Sequence, residues 1–205
     1  MKRLNANFFL VPLLLILYSC SEPQIMLQPL NQQQPILAFG DSLTFGYGAH
    51  KNKSYPAQLA KLINRQVINA GVNGELSSTG LARLEKLLDR YNPQLLLLCH
   101  GANDLLQKSD LDKMADNLKG MIKLAQDRDI QVVMIAVANT TLLLTPLKQY
   151  QQVAKEMHII VEKDLLSNIL RQANLHSDLL HPNGLGYQKM AETIAQLLTT
   201  HGAIE

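Results

Sequence analysis

The chain has 205 residues, of which 47% are hydrophobic and 18% are charged. These fractions are typical of a globular domain with one sizeable core, and they exclude an intrinsically disordered chain. The formal net charge is +2. Two of the basic residues, Lys2 and Arg3, lie in a segment that we expect to be removed, which leaves the mature protein close to neutral. No nucleic-acid partner is therefore predicted.

The first 19 residues have the pattern of an export signal. A short basic region precedes an apolar run at positions 8–17 (FFLVPLLLIL), which is about half of the roughly 20 residues that a membrane-spanning helix needs. The run leads into the letters LYSC, which end at Cys20 and resemble a bacterial lipobox. Residues 1–19 are predicted to be a lipoprotein signal peptide and Cys20 the lipid anchor. A plain secretion signal is the alternative.

A lipid anchor implies attachment to the membrane of a bacterial cell envelope, with the domain facing the periplasm. Ser21, directly after the anchor, favours the outer membrane. Residues 20–34 are rich in Gln and Pro, lack periodicity and are predicted to form a tether. If Cys20 is acylated, Cys99 has no disulfide partner, and we expect it to be a small buried core residue of a monomer.

The remaining stretch, residues 35–200, is predicted to be one folded domain in which strands and helices alternate. The predicted strands are Ile36–Phe39, Val67–Ala70, Gln94–Cys99, Gln131–Val137 and Ile159–Val161. The predicted helices are Tyr55–Ile63, Thr79–Arg90, Leu111–Arg128, Pro146–Met157 and Leu185–Leu198. This alternation predicts an α/β fold whose parallel sheet is covered by helices on both faces.

A serine follows the first predicted strand, in the sequence Gly40-Asp41-Ser42-Leu43. Parallel α/β folds place their active sites just past the carboxyl ends of strands, where such a hydroxyl can face a substrate. Gly40 permits a sharp backbone turn there. The alternative is an ordinary Gly-Asp-Ser turn without a catalytic role.

Asp178 and His181 form a second group near the end of the domain. A histidine that acts as a base needs a carboxylate on its other ring nitrogen, and a separation of three residues across a turn can supply one. Asn183 is predicted to cap the last helix. One alternative is a helix cap beside a surface histidine. The other is a metal site that includes His176, but no further ligand cluster supports it, so no metal is predicted.

Two further segments follow the second and third predicted strands: Asn69-Ala70-Gly71 and Gly101-Ala102-Asn103-Asp104. An ester attacked by a serine develops an oxyanion, which needs fixed hydrogen-bond donors. A glycine N–H allows close approach of a substrate, and an asparagine side chain supplies a second donor. The alternative for each segment is a strand-end turn.

Together and in this order, these segments resemble the GDSL/SGNH hydrolase family from about residue 36 to residue 198. The bacterial periplasmic thioesterase, lysophospholipase and arylesterase branch is most similar in appearance. The similarity is carried by NAGVNGE at 69–75, STGLARL at 78–84, GAND at 101–104 and DLLHPN at 178–183. The resemblance implies a flavodoxin-like three-layer α/β/α sandwich with a five-stranded parallel sheet and no cofactor.

The resemblance also implies a role for each matching residue. Ser42 is the expected nucleophile, His181 the general base and Asp178 the residue that orients it. The N–H groups of Ser42 and Gly71 and the side chain of Asn103 are the expected oxyanion donors. Two positions depart from this branch, namely Ala102, where a second glycine is common, and Glu75, where an aspartate is common; both border the predicted pocket.

The expected substrate is a small-molecule acyl ester, lysophospholipid or acyl thioester. Leu142, Leu143 and Leu144 follow the fourth predicted strand and form a possible acyl pocket; alternatively they pack in the core. An O-acetylesterase acting on cell-envelope carbohydrate or peptidoglycan would use the same catalytic set. A non-catalytic envelope lipoprotein is the third possibility.

Overall fold

The computed structural model describes residues 24–139 and 144–205. Within them, five parallel strands form one sheet with the order β2-β1-β3-β4-β5. The strands are β1 Ile36–Gly40, β2 Val67–Gly71, β3 Leu95–Cys99, β4 Gln131–Ile135 and β5 Ile160–Glu162. The predicted five-stranded parallel sheet is confirmed.

Helices in two groups cover the sheet. They are α1 Ser42–Phe45, α2 Tyr55–Leu62, α3 Ser77–Tyr91, α4 Ala102–Leu106, α5 Leu111–Gln126, α6 Lys148–Met157, α7 Leu165–Leu170 and α8 Gly184–Thr200. α8 packs against α2 and α7, whereas α5 packs against α3 and α6. Because crossovers between parallel strands are right-handed, this strand order puts the two groups of helices on opposite faces of the sheet. The predicted three-layer α/β/α arrangement is therefore confirmed.

The burial of the central strands explains their apolar sequences. β1 and β3 lie inside the sheet and are buried along their whole length. A strand covered on both faces has no polar side to present, which is why β3 reads LLLLC instead of alternating. Its last residue, Cys99, is buried, as expected.

The structure contains short helices that the sequence did not indicate, since four to six residues are too few to show a helical period. They are α1, α4 and α7, together with a 3-10 turn at Lys51–Lys53. Two of them matter for the site, because α1 begins at Ser42 and α4 carries Asn103. Elsewhere the predicted bounds shift by a few residues: α6 begins at Lys148 instead of Pro146.

The stretch predicted to be a tether is docked on the domain over the part that the structure describes. We call residues 24–34 the N-terminal segment. Its Leu27 and Leu30 are buried, and their N–H groups donate to the carbonyls of His201 and Ala203, both at 2.8 Å. The Gln and Pro content correctly indicated no helix or strand, but two leucines three residues apart still bury their side chains. The tether prediction is wrong for this segment.

The predicted signal peptide and the anchor residue Cys20 lie outside the described residues. Among the residues that the structure does describe, no helix is both long and apolar enough to span a bilayer.

Docking of the N-terminal segment can be tested with two neighbouring residues. Leu27 is 8% exposed and Met26 is 59% exposed. Leu27→Ala should lower the free energy of unfolding by about 2 kcal/mol, because a buried leucine side chain leaves a cavity. Met26→Ala should change it by less than about 0.5 kcal/mol. Urea unfolding measures both, and equal small effects would show that the segment is not docked.

Candidate active site

Ser42 lies where the chain leaves the sheet after β1. It is the first residue of α1, and its side chain borders a cleft at the carboxyl edge of the sheet. Gly40, the last residue of β1, is needed for close approach: a Cβ there would lie 1.9 Å from the carbonyl oxygen of Cys99. Any side chain at position 40 would therefore push β1 and β3 apart and displace the serine.

The structure brings the three predicted catalytic side chains together in one line. Ser42 Oγ lies 3.0 Å from His181 Nε2. On the other side of the ring, His181 Nδ1 lies 3.0 Å and 2.9 Å from the two carboxylate oxygens of Asp178. This arrangement lets the imidazole receive a proton from the hydroxyl while the carboxylate holds the other ring nitrogen in its N–H form.

The turn that carries Asp178 and His181 is held by its own hydrogen bonds. Asp178 Oδ1 accepts from the backbone N–H groups of Leu180 and His181, both at 2.8 Å. Partial burial alone would raise the pKa of Asp178, but the hydrogen bonds from the His181 ring and from these two N–H groups outweigh it and hold the pKa below its usual range. The carboxylate is therefore ionised next to the ring.

After this turn, the side chain of Asn183 caps α8 as predicted. Its Oδ1 accepts from the N–H groups of Leu185 and Gly186. The histidine is thereby fixed at the start of a long, packed helix.

Tyr47 is a neighbour of the histidine that the sequence analysis missed. Its ring centroid lies 4.6 Å from that of His181, and its carbonyl accepts a hydrogen bond of 2.8 Å from Tyr187 Oη. This packing restricts rotation of the imidazole. No motif or spacing in the sequence points to Tyr47, because the contact joins residues far apart in the chain.

Asp41 connects the serine turn to α4. It is fully buried, and its two carboxylate oxygens accept from the N–H groups of Leu43 and Ala102, both at 3.1 Å. Burial raises the pKa of Asp41, and the hydrogen bonds from the N–H groups of Leu43 and Ala102 only partly offset this effect. The carboxyl group thus holds the turn of Ser42 against the helix that carries Asn103.

The structure corrects the assignment of Gly71 as an oxyanion donor. Its N–H already donates to Asn69 Oδ1 at 2.9 Å. A Cβ at Gly71 would lie 2.0 Å from the backbone nitrogen of Phe45. The glycine is therefore required so that the end of β2 can pack against α1, and its N–H is not available to a substrate.

Gly74 and Asn103 instead offer free N–H hydrogens. Asn103 Nδ2 donates to the carbonyl of Glu75 at 3.0 Å, which leaves its second hydrogen for another acceptor. Gly74, the residue before Glu75, has φ +76° and nothing within 4 Å of the place where a Cβ would lie. Its N–H has no hydrogen-bond partner among the residues that the structure describes. The sequence analysis missed Gly74, since NAGVNGE contains both glycines and only the backbone path distinguishes them.

The cleft beside Ser42 and His181 is mostly apolar. It has about 410 Å³ of empty space, part of it open to solvent. The side chains that line it include Leu43, Leu105, Leu106, Leu166, Leu170 and Leu180.

The predicted acyl pocket is not supported where the structure can test it. Leu142 and Leu143 lie outside the described residues. Leu144 does not line the cleft, and its carbonyl accepts a hydrogen bond of 3.2 Å from Arg171 Nη2. The apolar lining comes from α1, α4, α7, the turn before α8, and Val137 and Ala138 after β4.

Between residues 24 and 205, outside the gap at 140–143, no group of three or more His, Cys, Asp or Glu residues is placed to hold a metal ion. His176, the third residue of the metal alternative, forms an isolated backbone bridge with Pro182.

The chain is similar to known proteins over most of its length. The model of the GDSL-like lipase/acylhydrolase family matches residues 38–189. An arylesterase from Vibrio mimicus is 32% identical over 179 residues, which are 82% of this chain and 90% of the relative. Thioesterase 1/protease 1/lysophospholipase L1 of Escherichia coli K12 is 26% identical over 181 residues, covering 80% and 82% of the two chains.

A solved structure shows the same likeness. The psychrotrophic esterase EstA from Pseudoalteromonas superimposes with a TM-score of 0.71 at 25% sequence identity, over 81% of this chain and 99% of that one. The family match, the sequence relatives and the shared fold together show that the chain belongs to the GDSL-like lipase/acylhydrolase family, also called GDSL/SGNH hydrolases, and is a carboxylic ester hydrolase.

Proposed function

We propose that the protein hydrolyses small acyl esters by two-step acyl transfer, with Ser42 as nucleophile, His181 as general base and Asp178 as the residue that orients it. The observation that carries the proposal is the unbroken line of hydrogen bonds from Ser42 Oγ through both nitrogens of His181 to Asp178. The line lies at the edge of the apolar cleft, where an ester carbonyl can reach the hydroxyl.

The reaction begins when His181 Nε2 takes the proton of Ser42 and the Oγ bonds to the ester carbonyl carbon. The tetrahedral intermediate then collapses: the bond to the alcohol oxygen breaks, and the proton passes from Nε2 to the departing alcohol. In the second step, His181 removes a proton from water, the hydroxide attacks the acyl-enzyme, and Ser42 regains its proton as the acid leaves. Asp178 stabilises the imidazolium in both steps.

Three donors would bind the oxyanion in this proposal. They are the N–H of Ser42, Asn103 Nδ2 and the N–H of Gly74, which takes the place first assigned to Gly71. The support for Gly74 is its unpartnered N–H and its position directly before Glu75, whose carbonyl binds Asn103. Loss of one such donor typically lowers kcat by about 10²–10³-fold.

The proposed substrate carries an apolar acyl group, as a carboxylic ester, a lysophospholipid or a thioester. The leucine-rich lining supports this class, because each buried methylene contributes about 0.8 kcal/mol to binding. An acetyl group would bring only one methyl group to this leucine-rich lining, so an O-acetylesterase is not adopted. A non-catalytic role is not adopted either, since the line of Ser42, His181 and Asp178 is complete.

We also propose that Cys20 carries a lipid that attaches the protein to the bacterial envelope, with the domain facing the periplasm and the outer membrane as its location. The support is the LYSC sequence after the apolar run and the serine at position 21.

The catalytic role of Ser42 is tested by Ser42→Ala, with Ser78→Ala on the exposed start of α3 as a matched control. The first variant should lower kcat for p-nitrophenyl butyrate by about 10⁴-fold or more, because no other group supplies the nucleophile. The control should retain wild-type kcat, and both variants should unfold at the wild-type temperature. Wild-type turnover by folded Ser42→Ala would refute the mechanism.

The acyl side of the cleft is tested by Leu106→Ser. Leu106 is 44% exposed, so the variant should fold. It should lower kcat/KM for an octanoyl ester by about tenfold and leave an acetyl ester nearly unchanged, since only the longer chain reaches the lost apolar surface. Leu62→Ser, at the end of α2 and away from the cleft, is the control. Equal losses on both esters would argue against an acyl site there.

Lipid attachment is tested in cells that express the full chain with a palmitate analogue in the medium. Wild type and Cys99→Ala should both incorporate the label and sediment with outer membranes. Cys20→Ala should do neither. Labelling of Cys20→Ala would contradict the proposed anchor, as would an unlabelled wild-type protein.

A further inference from the structure

His100, Glu75 and Arg83 form a buried polar cluster that the mechanism above does not use. The side chain of His100 is fully buried, and Glu75 is 6% exposed. Burying such groups is unfavourable unless every one of them is hydrogen-bonded. Glu75 directly follows Gly74 in the chain, and His100 lies three residues before Asn103. The cluster therefore adjoins both segments that carry the proposed oxyanion donors.

Hydrogen bonds fix the protonation of His100. Its Nδ1 accepts from the N–H of Gly101 at 2.9 Å, and its Nε2 lies 3.1 Å from Glu75 Oε2. Because a backbone N–H can only donate, Nδ1 carries no proton. The ring is therefore neutral, with its hydrogen on Nε2, and it donates to the carboxylate.

Arg83 completes the environment of Glu75. Its Nε donates to Oε1 at 2.6 Å and its Nη2 to Oε2 at 2.7 Å. Burial alone would raise the pKa of Glu75, but the hydrogen bonds from His100 and Arg83 outweigh it and hold the pKa below its usual range. The carboxylate is thus ionised and held from both sides.

The backbone of Glu75 connects this cluster to the proposed oxyanion donors. Its carbonyl accepts from Asn103 Nδ2 at 3.0 Å, and its N-terminal neighbour is Gly74. Gly101 and Asn103 belong to the same turn after β3. The contacts therefore close a ring that runs from Gly101 through His100 and Glu75 to Asn103, and we call it the polar ring.

Gly80 on α3 leaves space for the imidazole of His100. A Cβ at Gly80 would lie 2.4 Å from His100 Nε2. The carbonyl of His100 is held separately, by a hydrogen bond of 2.6 Å from Tyr150 Oη. Ring and backbone of His100 are thus fixed by different partners, which allows their contributions to be separated by mutation.

We propose that His100 is a positioning residue for ester hydrolysis: through Glu75 it holds Asn103 Nδ2 and the Gly74 N–H in the orientation that receives the oxyanion. This role rests on the function proposed above. It goes beyond that function because His100 touches neither the substrate nor the line of Ser42, His181 and Asp178.

Two substitutions at His100 separate its two hydrogen bonds. Gln places an amide nitrogen near the position of Nε2 and can still donate to Glu75. Asn places an oxygen near Nδ1 and can accept from Gly101, but it does not reach Glu75. His100→Gln should keep kcat within about threefold of wild type, whereas His100→Asn should lower it by about 10–100-fold. KM should stay within about twofold in both, since the oxyanion forms only in the transition state.

Tyr150→Phe is the matched control, because it removes a buried hydrogen bond to the same residue but leaves the polar ring intact. It should lower the melting temperature about as much as His100→Asn without lowering kcat of the folded enzyme. A purely structural role of His100 predicts equal kcat for all three variants and would overturn the proposal. If His100→Asn does not fold, Glu75→Gln and Gly80→Ala test the same ring, and wild-type kcat in both would overturn it.

Measuring Ser42→Ala in parallel separates a failure of the proposed function from a failure of the positioning role of His100. Activity in Ser42→Ala would refute the proposed function itself. An inactive Ser42→Ala beside a His100→Asn variant with wild-type kcat would refute only the positioning role.

Discussion

The hydrogen bond of 3.0 Å between Ser42 Oγ and His181 Nε2 joins the beginning and the end of the folded domain. Its length depends on the position of two remote parts of the chain. Ser42 is placed by β1, an interior strand of the sheet, and His181 by the start of α8, which packs against α2 and α7. The interiors of such packed layers resist deformation, so a helix and a strand can hold two side chains at a fixed distance. The leucine-rich core is therefore needed to keep Ser42 and His181 within hydrogen-bond distance.

The proposed oxyanion donors are held by buried polar groups instead of apolar packing. The carboxyl group of Asp41 joins the turn of Ser42 to α4, and the backbone carbonyl of Glu75, next to Gly74, accepts from Asn103. Asp104 adds a third connection, since it accepts from both the N–H and the Oγ of Ser77 at the start of α3. Directional hydrogen bonds specify orientation more narrowly than apolar contacts do, which suits groups that must point at one developing charge.

The sequence was sufficient for the features that local pattern determines. Apolar runs and amphipathic stretches identified all five strands and the long helices, and the short Asp178–His181 spacing indicated a turn that the structure shows to be closed by its own hydrogen bonds. The sequence alone was insufficient where a residue's role depends on contacts with backbone that is distant in the chain. Gly71 and Gly74 are equally plausible donors in the sequence, and only the contact with Asn69 shows that the first is occupied. The docking of Leu27 against the end of α8 likewise has no local signal.

The most direct measurement is a crystal structure of the enzyme after reaction with a p-nitrophenyl alkylphosphonate, which mimics the tetrahedral intermediate. The phosphorus should be bonded to Ser42 Oγ, with the alkyl chain in the leucine-lined cleft. One phosphonyl oxygen should lie about 2.7–3.1 Å from Asn103 Nδ2 and from the Gly74 nitrogen. Phosphorus bonded to another residue, or a phosphonyl oxygen directed away from Asn103 and Gly74, would contradict the account.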